Sequence, residues 1–136
     1  MFRNKSIGVL VVLMLLMISA AARIQKMRVI STGLWGGQHI SMNVGTKSAT
    51  IEYDCANGVI KGPLLVDAAG RFELRGTHRT ERGGPIRADE SREGQPATYT
   101  GSIEGNKMTL TLKLDNLEPE TFTLEQGKEG ELVKCK

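Results

Sequence analysis

The sequence predicts an all-β protein, a small eight-stranded antiparallel up-and-down β-barrel with one disulfide. Three observations predict it. Apolar residues recur at every second position along most of the chain, the spacing of strands that bury one face. Short glycine-containing sequences separate these runs and supply the positive φ that tight hairpins require. Two cysteines, Cys55 and Cys135, fall in runs whose parity sends both to one end of such a barrel.

The chain of 136 residues begins with a different pattern. MFRNKS carries Arg3 and Lys5, Ile7 to Ile18 is apolar throughout, and Ser19-Ala20-Ala21-Ala22 follows. This is the make-up of a secretory signal peptide over residues 1–22, with cleavage expected after Ala22. The apolar run is shorter than the roughly 20 residues of a spanning helix. No cysteine stands at the cleavage site, so a lipid anchor is not expected. Residues 23–32 read as a basic lead-in, and 33–136 as a single barrel domain.

The strands follow in order. Ile40, Met42 and Val44 alternate with His39, Ser41 and Asn43. Ala49, Ile51, Tyr53 and Cys55 form the second run, and Val59 to Val66, interrupted by Gly62-Pro63, the third. Phe72, Leu74 and Gly76 form the fourth, and Ala97, Tyr99, Gly101 and Ile103 the fifth. Met108, Leu110, Leu112 and Leu114 form the sixth, Phe122 and Leu124 the seventh, and Val133 and Cys135 the eighth. Turns are expected at Gly45-Thr46-Lys47, Asn57-Gly58, Ala69-Gly70, Glu104-Gly105-Asn106, Gly127-Lys128 and Glu129-Gly130. Only one connection reads as long, Thr77 to Pro96.

Eight strands can close on themselves and so remove the sheet edges. In that closure Cys55 and Cys135 flank the start of the first strand, where Trp35 stands. An exported chain meets an oxidising compartment, and two cysteines allow one pairing. Closing a loop of about 80 residues contributes roughly 4 kcal/mol in the chain-entropy picture. Trp35 is expected to plug that barrel end beside the disulfide, with Gly33, Gly36 and Gly37 letting the chain turn around the ring. An immunoglobulin-type sandwich fits less well, because its Trp lies between the two cysteines.

Beyond the leader, 16 Lys and Arg stand against 15 Asp and Glu, since Arg3 and Lys5 account for two of the 18 basic residues. That balance gives no expectation of a nucleic-acid partner or of a membrane role after cleavage. A monomer without a cofactor is expected.

Gly33-Leu34-Trp35 before a first strand resembles the G-x-W opening of lipocalin-like (calycin) barrels, whose meander is of the lipocalin/avidin kind. The resemblance implies a late basic residue packed over the Trp, here Lys134 or Lys136. WGGQHI (35–40), IEYDCANG (51–58), GRF (70–72), GGP (83–85) and a terminal Cys are similar to a pattern in small exported bacterial proteins of unassigned function. That likeness implies a common fold and export, and carries no activity.

No G-x-S-x-G, P-loop, H-E-x-x-H or C-x-x-C motif is present, so no catalytic residue is assigned. Three constellations remain. His39 and Asp54 on neighbouring strands offer imidazole and carboxylate, suited to a divalent metal or to base catalysis. The bland reading of the same pair is a polar contact on a solvated sheet face. The 77–96 segment holds His78, Arg79 and Arg82 next to Gly83-Gly84, which could receive a carboxylate or phosphate. Its bland reading is a solvated loop with internal charge compensation. The interior is lined by Tyr53, Phe72, Tyr99 and Phe122, with small residues at Ala49, Gly76 and Ala97. Such an interior is either filled or holds one small ligand.

The expected function is that of a secreted or periplasmic, non-catalytic binding module. Its partner would be a small apolar ligand in the mouth, or an exported protein met by the 77–96 loop. An envelope inhibitor or modulator of an exported enzyme is the alternative, and a metal-dependent enzyme using His39 and Asp54 the second.

Overall fold

The computed structural model describes residues 26–81 and 94–135, together with Gly8 and Val11. The expected leader, residues 1–22, lies outside the described residues apart from those two. So do Arg82, Gly83-Gly84 and Lys136.

Ten strands form among the described residues: β1 (Arg28–Val29), β2 (Gly33–Gly37), β3 (Ile40–Val44), β4 (Ser48–Tyr53), β5 (Ala56–Lys61), β6 (Leu65–Val66), β7 (Arg71–Thr80), β8 (Gln95–Glu104), β9 (Lys107–Leu114) and β10 (Glu120–Gln126). Eight of them make a closed antiparallel barrel in the order β10-β2-β3-β4-β5-β7-β8-β9. The predicted fold class is therefore the observed one. Each strand pairs with its sequence neighbour in the barrel, and closure comes from β10 against β2.

The identity of the eight strands differs from expectation at both ends. GLWGG is itself the first barrel strand, with Trp35 opposite Met42 and Gln126. Its side chains obey the alternation, but three of the five are glycine hydrogens, so hydropathy does not display it. Val133 and Cys135 form no strand, and Val133 is exposed. After β10 the chain turns at Gly127, whose N–H donates to Leu34 O, and runs back as a strap outside β2. Glu131 N–H donates to Gly37 O, and His39 N–H to Glu131 O. Gly36 is required there, since a Cβ would collide with the carbonyl of Lys128. The strap ends at the Cys55–Cys135 disulfide, with Cα atoms 5.2 Å apart.

Gly62-Pro63 divides the third apolar run. β5 stays in the barrel, whereas β6 leaves it and pairs with β1. The basic lead-in is thus structural over Arg28 to Ile30. Ile30, Leu64 and Val66 are buried in the core, and Ile30 N–H donates to Leu64 O. This ribbon caps the barrel end where β5 stops and β7 starts.

Trp35 belongs with that capped end. Its ring is buried, and its indole N–H donates to Ser31 O at 3.3 Å, in the segment joining β1 to β2. The disulfide joins the end of β4 to the strap at the opposite, open end. Trp35 is consequently a core residue and not a plug beside the disulfide. The expectation failed by one strand, because β2 carries the chain from one end to the other. Gly33 takes a positive φ of 118° where β2 starts, and Gly37 is packed close to Thr123 O. Lys134 does not cover Trp35 either, as its ammonium donates to Tyr53 O at 3.0 Å.

Asn57-Gly58 is no turn. Both residues lie inside β5, and the chain reverses at Asp54-Cys55. A Cβ on Gly58 would strike the Tyr99 hydroxyl, so the glycine makes room for a core phenol. The long connection is shorter than predicted as well. β7 runs on through His78 and Arg79 to Thr80, and β8 begins at Gln95.

Candidate functional site: the barrel mouth

The open end gathers the turn Gln38-His39, the reversal at Asp54-Cys55, the last residues of β7 and the first of β10. A cavity of about 750 Å³ opens there. Strand parity dictates its lining. Inward positions on β4 are Ala49, Ile51 and Tyr53, so Tyr53 is the last before the rim. On β7 the inward series Phe72, Leu74 and Gly76 continues to His78 and then Thr80. On β10 it runs Glu120, Phe122, Leu124. Ala56 completes the inner wall, and Thr121 and Thr123, at the outward parity of β10, also border the cavity.

Six predicted candidates meet here, namely Tyr53, His78 and Phe122 in the wall and His39, Asp54 and Cys55 at the rim. Tyr53 is the centre, its ring centroid 5.3 Å from those of both His78 and Phe122, with the planes tilted. Tyr53 is 6% exposed and His78 8%. The Tyr53 hydroxyl and His78 Nδ1 are nevertheless buried without a hydrogen-bond partner. An unpaired buried polar atom costs about 1–3 kcal/mol, so two of them on residues that line one cavity are a departure from ordinary packing.

The remaining candidates lie elsewhere. The Tyr99 hydroxyl donates to Thr77 O at 2.7 Å, so its polar handle is already used inside the protein. Phe72 lies toward the capped end and lines a separate groove with Met27, Pro63 and Leu65. Arg79 follows inward-facing His78 on β7 and is absent from the cavity wall. Arg79 thus belongs to a strand and not to the loop, and the other members of the anion-receiving reading, Arg82 and Gly83-Gly84, lie outside the described residues.

His39 and Asp54 do meet. His39 Nδ1 and Asp54 Oδ2 are 2.6 Å apart, with His39 at a positive φ of 64°. Asp54 Oδ1 accepts the Val133 N–H at 2.8 Å, and Asp54 O accepts the N–H of Cys135 at 3.2 Å. One residue thus fastens both the β2–β3 turn and the strap. No third His, Cys, Asp or Glu joins the pair in a metal-binding cluster among the described residues.

Electrostatics follow from these partners. The Val133 N–H, then the hydrogen bond and charge of His39 and the charge of Lys134, hold the Asp54 carboxyl below its ordinary range. Burial pulls His78 below the usual imidazole value, which favours the neutral ring. Burial also pushes Tyr99 up to about 12, and with Tyr99 and Glu120 nearby it holds the Tyr53 phenol well above its normal range. The two phenols influence each other's ionisation, yet no hydrogen bond of good geometry joins them.

Sequence reasoning missed Gln38, Thr80, Glu120, Thr121 and Thr123 as lining residues. The signal was available for Thr80 and Glu120, which fall at the inward parity of β7 and β10.

Comparison of the chain with protein-family models, curated proteins and solved structures finds no match, so the mouth is interpreted from its own geometry.

Proposed function

We propose that this protein is an exported binding module whose barrel mouth takes a small molecule with an apolar body and one polar group. A single observation carries the reading. The Tyr53 hydroxyl and His78 Nδ1 are buried and lack partners, and both residues line a cavity large enough for such a ligand. A ligand that hydrogen-bonds to them removes the cost of leaving them unpaired, while Phe122 and the Tyr53 ring supply apolar surface.

Export is supported by the leader pattern of residues 1–22 and by the disulfide, which persists in oxidising compartments. The reading is non-catalytic because His39 and Asp54, the one acid–base pair predicted, hold the strap through Asp54.

Native mass spectrometry of untagged protein from its host's exported fraction tests this reading. A stoichiometric small-molecule adduct is expected, and it should be absent from Thr80→Trp, which fills the mouth from the rim. Bare wild-type protein, or an adduct that survives Thr80→Trp, counts against the mouth as the site.

A further inference from the structure

We infer that the mouth selects a cation, a small amphiphile that places a primary or secondary ammonium group among Tyr53, His78 and Glu120. This rests on the reading of the mouth as a ligand site and names the chemical class it takes.

Charge is the first argument. Among the described residues, the cavity wall contains two carboxylates, Asp54 and Glu120, and neither lysine nor arginine. Asp54 is engaged with His39 and Val133, which leaves Glu120 as the counter-charge for a ligand. Lys134, whose ammonium is held by other groups, is not among the lining residues. It donates to Tyr53 O and lies 3.9 Å from Glu52 and 3.8 Å from Glu81. A ligand carboxylate would enter beside Glu120 with no lysine or arginine to balance it among the described lining residues.

Hydrogen-bonding capacity is the second. An ammonium group offers N–H donors and needs acceptors. The Tyr53 oxygen is one, and Nδ1 of a neutral His78 with its proton on Nε2 is another. Both belong to side chains more than nine-tenths buried, on residues that line the cavity.

The third argument is the aromatic wall. Tyr53, His78 and Phe122 adjoin one another with tilted rings, and ring faces attract a desolvated cation. An apolar tail would reach the inner ring edges as the ammonium group stays near Glu120 at the rim.

The test is a solution NMR titration of the disulfide-intact protein with three probes, 2-phenylethylammonium, 2-phenylethanol and 3-phenylpropionate, at neutral pH and low salt. The ammonium probe should shift the Tyr53, His78 and Phe122 resonances, and bind about tenfold or more tightly than the carboxylate. Glu120→Gln, at an exposed position, should weaken the ammonium probe by about three- to tenfold and leave the alcohol unaffected. If the alcohol or the carboxylate occupies the mouth as tightly as the ammonium probe, cation selection is overturned while the ligand site stands. If none of the three perturbs these resonances at millimolar concentration, the ligand site falls with it.

Discussion

The two ends of the barrel are built on opposite principles. At the capped end, Ile30, Leu64 and Val66 from the β1–β6 ribbon close over Trp35, and the one indole N–H finds Ser31 O. At the mouth, aromatic and polar residues share the wall, and two buried polar atoms are left unpaired. The strands are common to both ends, so the contrast comes from what each strand carries at its last inward position. It teaches that this barrel packs one end with apolar side chains and keeps the other chemically unfinished.

Breaking the capped end should have the largest effect. Trp35→Ala removes a fully buried ring and leaves a cavity, and should lower unfolding free energy by about 3–5 kcal/mol in denaturant titration. A loss under about 1 kcal/mol would mean that the capped end is not the stabilising one. Next comes the rivet at the mouth. Replacing Cys55 and Cys135 together by serine should cost roughly 2–4 kcal/mol, read by the same titration. A smaller effect, opposite in sign, sharpens the comparison. Tyr53→Phe deletes a buried hydroxyl that has no partner, and should raise stability of the ligand-free protein by about 1 kcal/mol. Destabilisation by that variant would show that the hydroxyl is satisfied in solution.

The smallest effect is a pH dependence. Burial lowers the folded pKa of His78, so the unfolded chain binds the proton more readily. Stability from this group is intact above the ordinary imidazole pKa of about 6.5 and erodes as pH falls below it. Asp54 acts lower on the scale. Its depressed pKa gives a stabilisation present above the ordinary carboxylate range and lost as pH falls through the folded value. In wild-type protein, melting temperature should therefore decline in two stages on acidification. His78→Leu should remove only the first.

The capped and middle regions of the barrel were legible in the sequence because buried apolar residues announce strand parity. Ile40-Met42-Val44 and Met108-Leu110-Leu112 give their register away directly. Legibility fails where parity is carried by residues that hydropathy does not score. β2 was hidden by its glycines. The ends of β7 and β8 were hidden by polar residues, so His78 read as a loop residue although it lies two positions beyond inward-facing Gly76. The His39–Asp54 pair was legible as a pair, whereas its hold on Val133 depends on a strap that no local pattern predicts. The ends of β7 and β8 and the strap lie at the mouth, where a site open to water and ligand departs from the alternation that identifies a core.

The seam between β10 and β2 sets the order of events in time. Every other barrel joint links strands adjacent along the barrel portion of the chain, most through short hairpins that can form locally. The seam matches Trp35 with Gln126 and Gly36 with Glu125, and has only these two register pairs. Closing it requires the two extremes of the barrel sequence to find each other, the kind of distant encounter that slows folding. Without that seam the sheet has two bare edges, the form most prone to join a second molecule edge to edge. The strap lies over β2 on the outside of the barrel, and the disulfide that tethers it turns a late, reversible encounter into a permanent one.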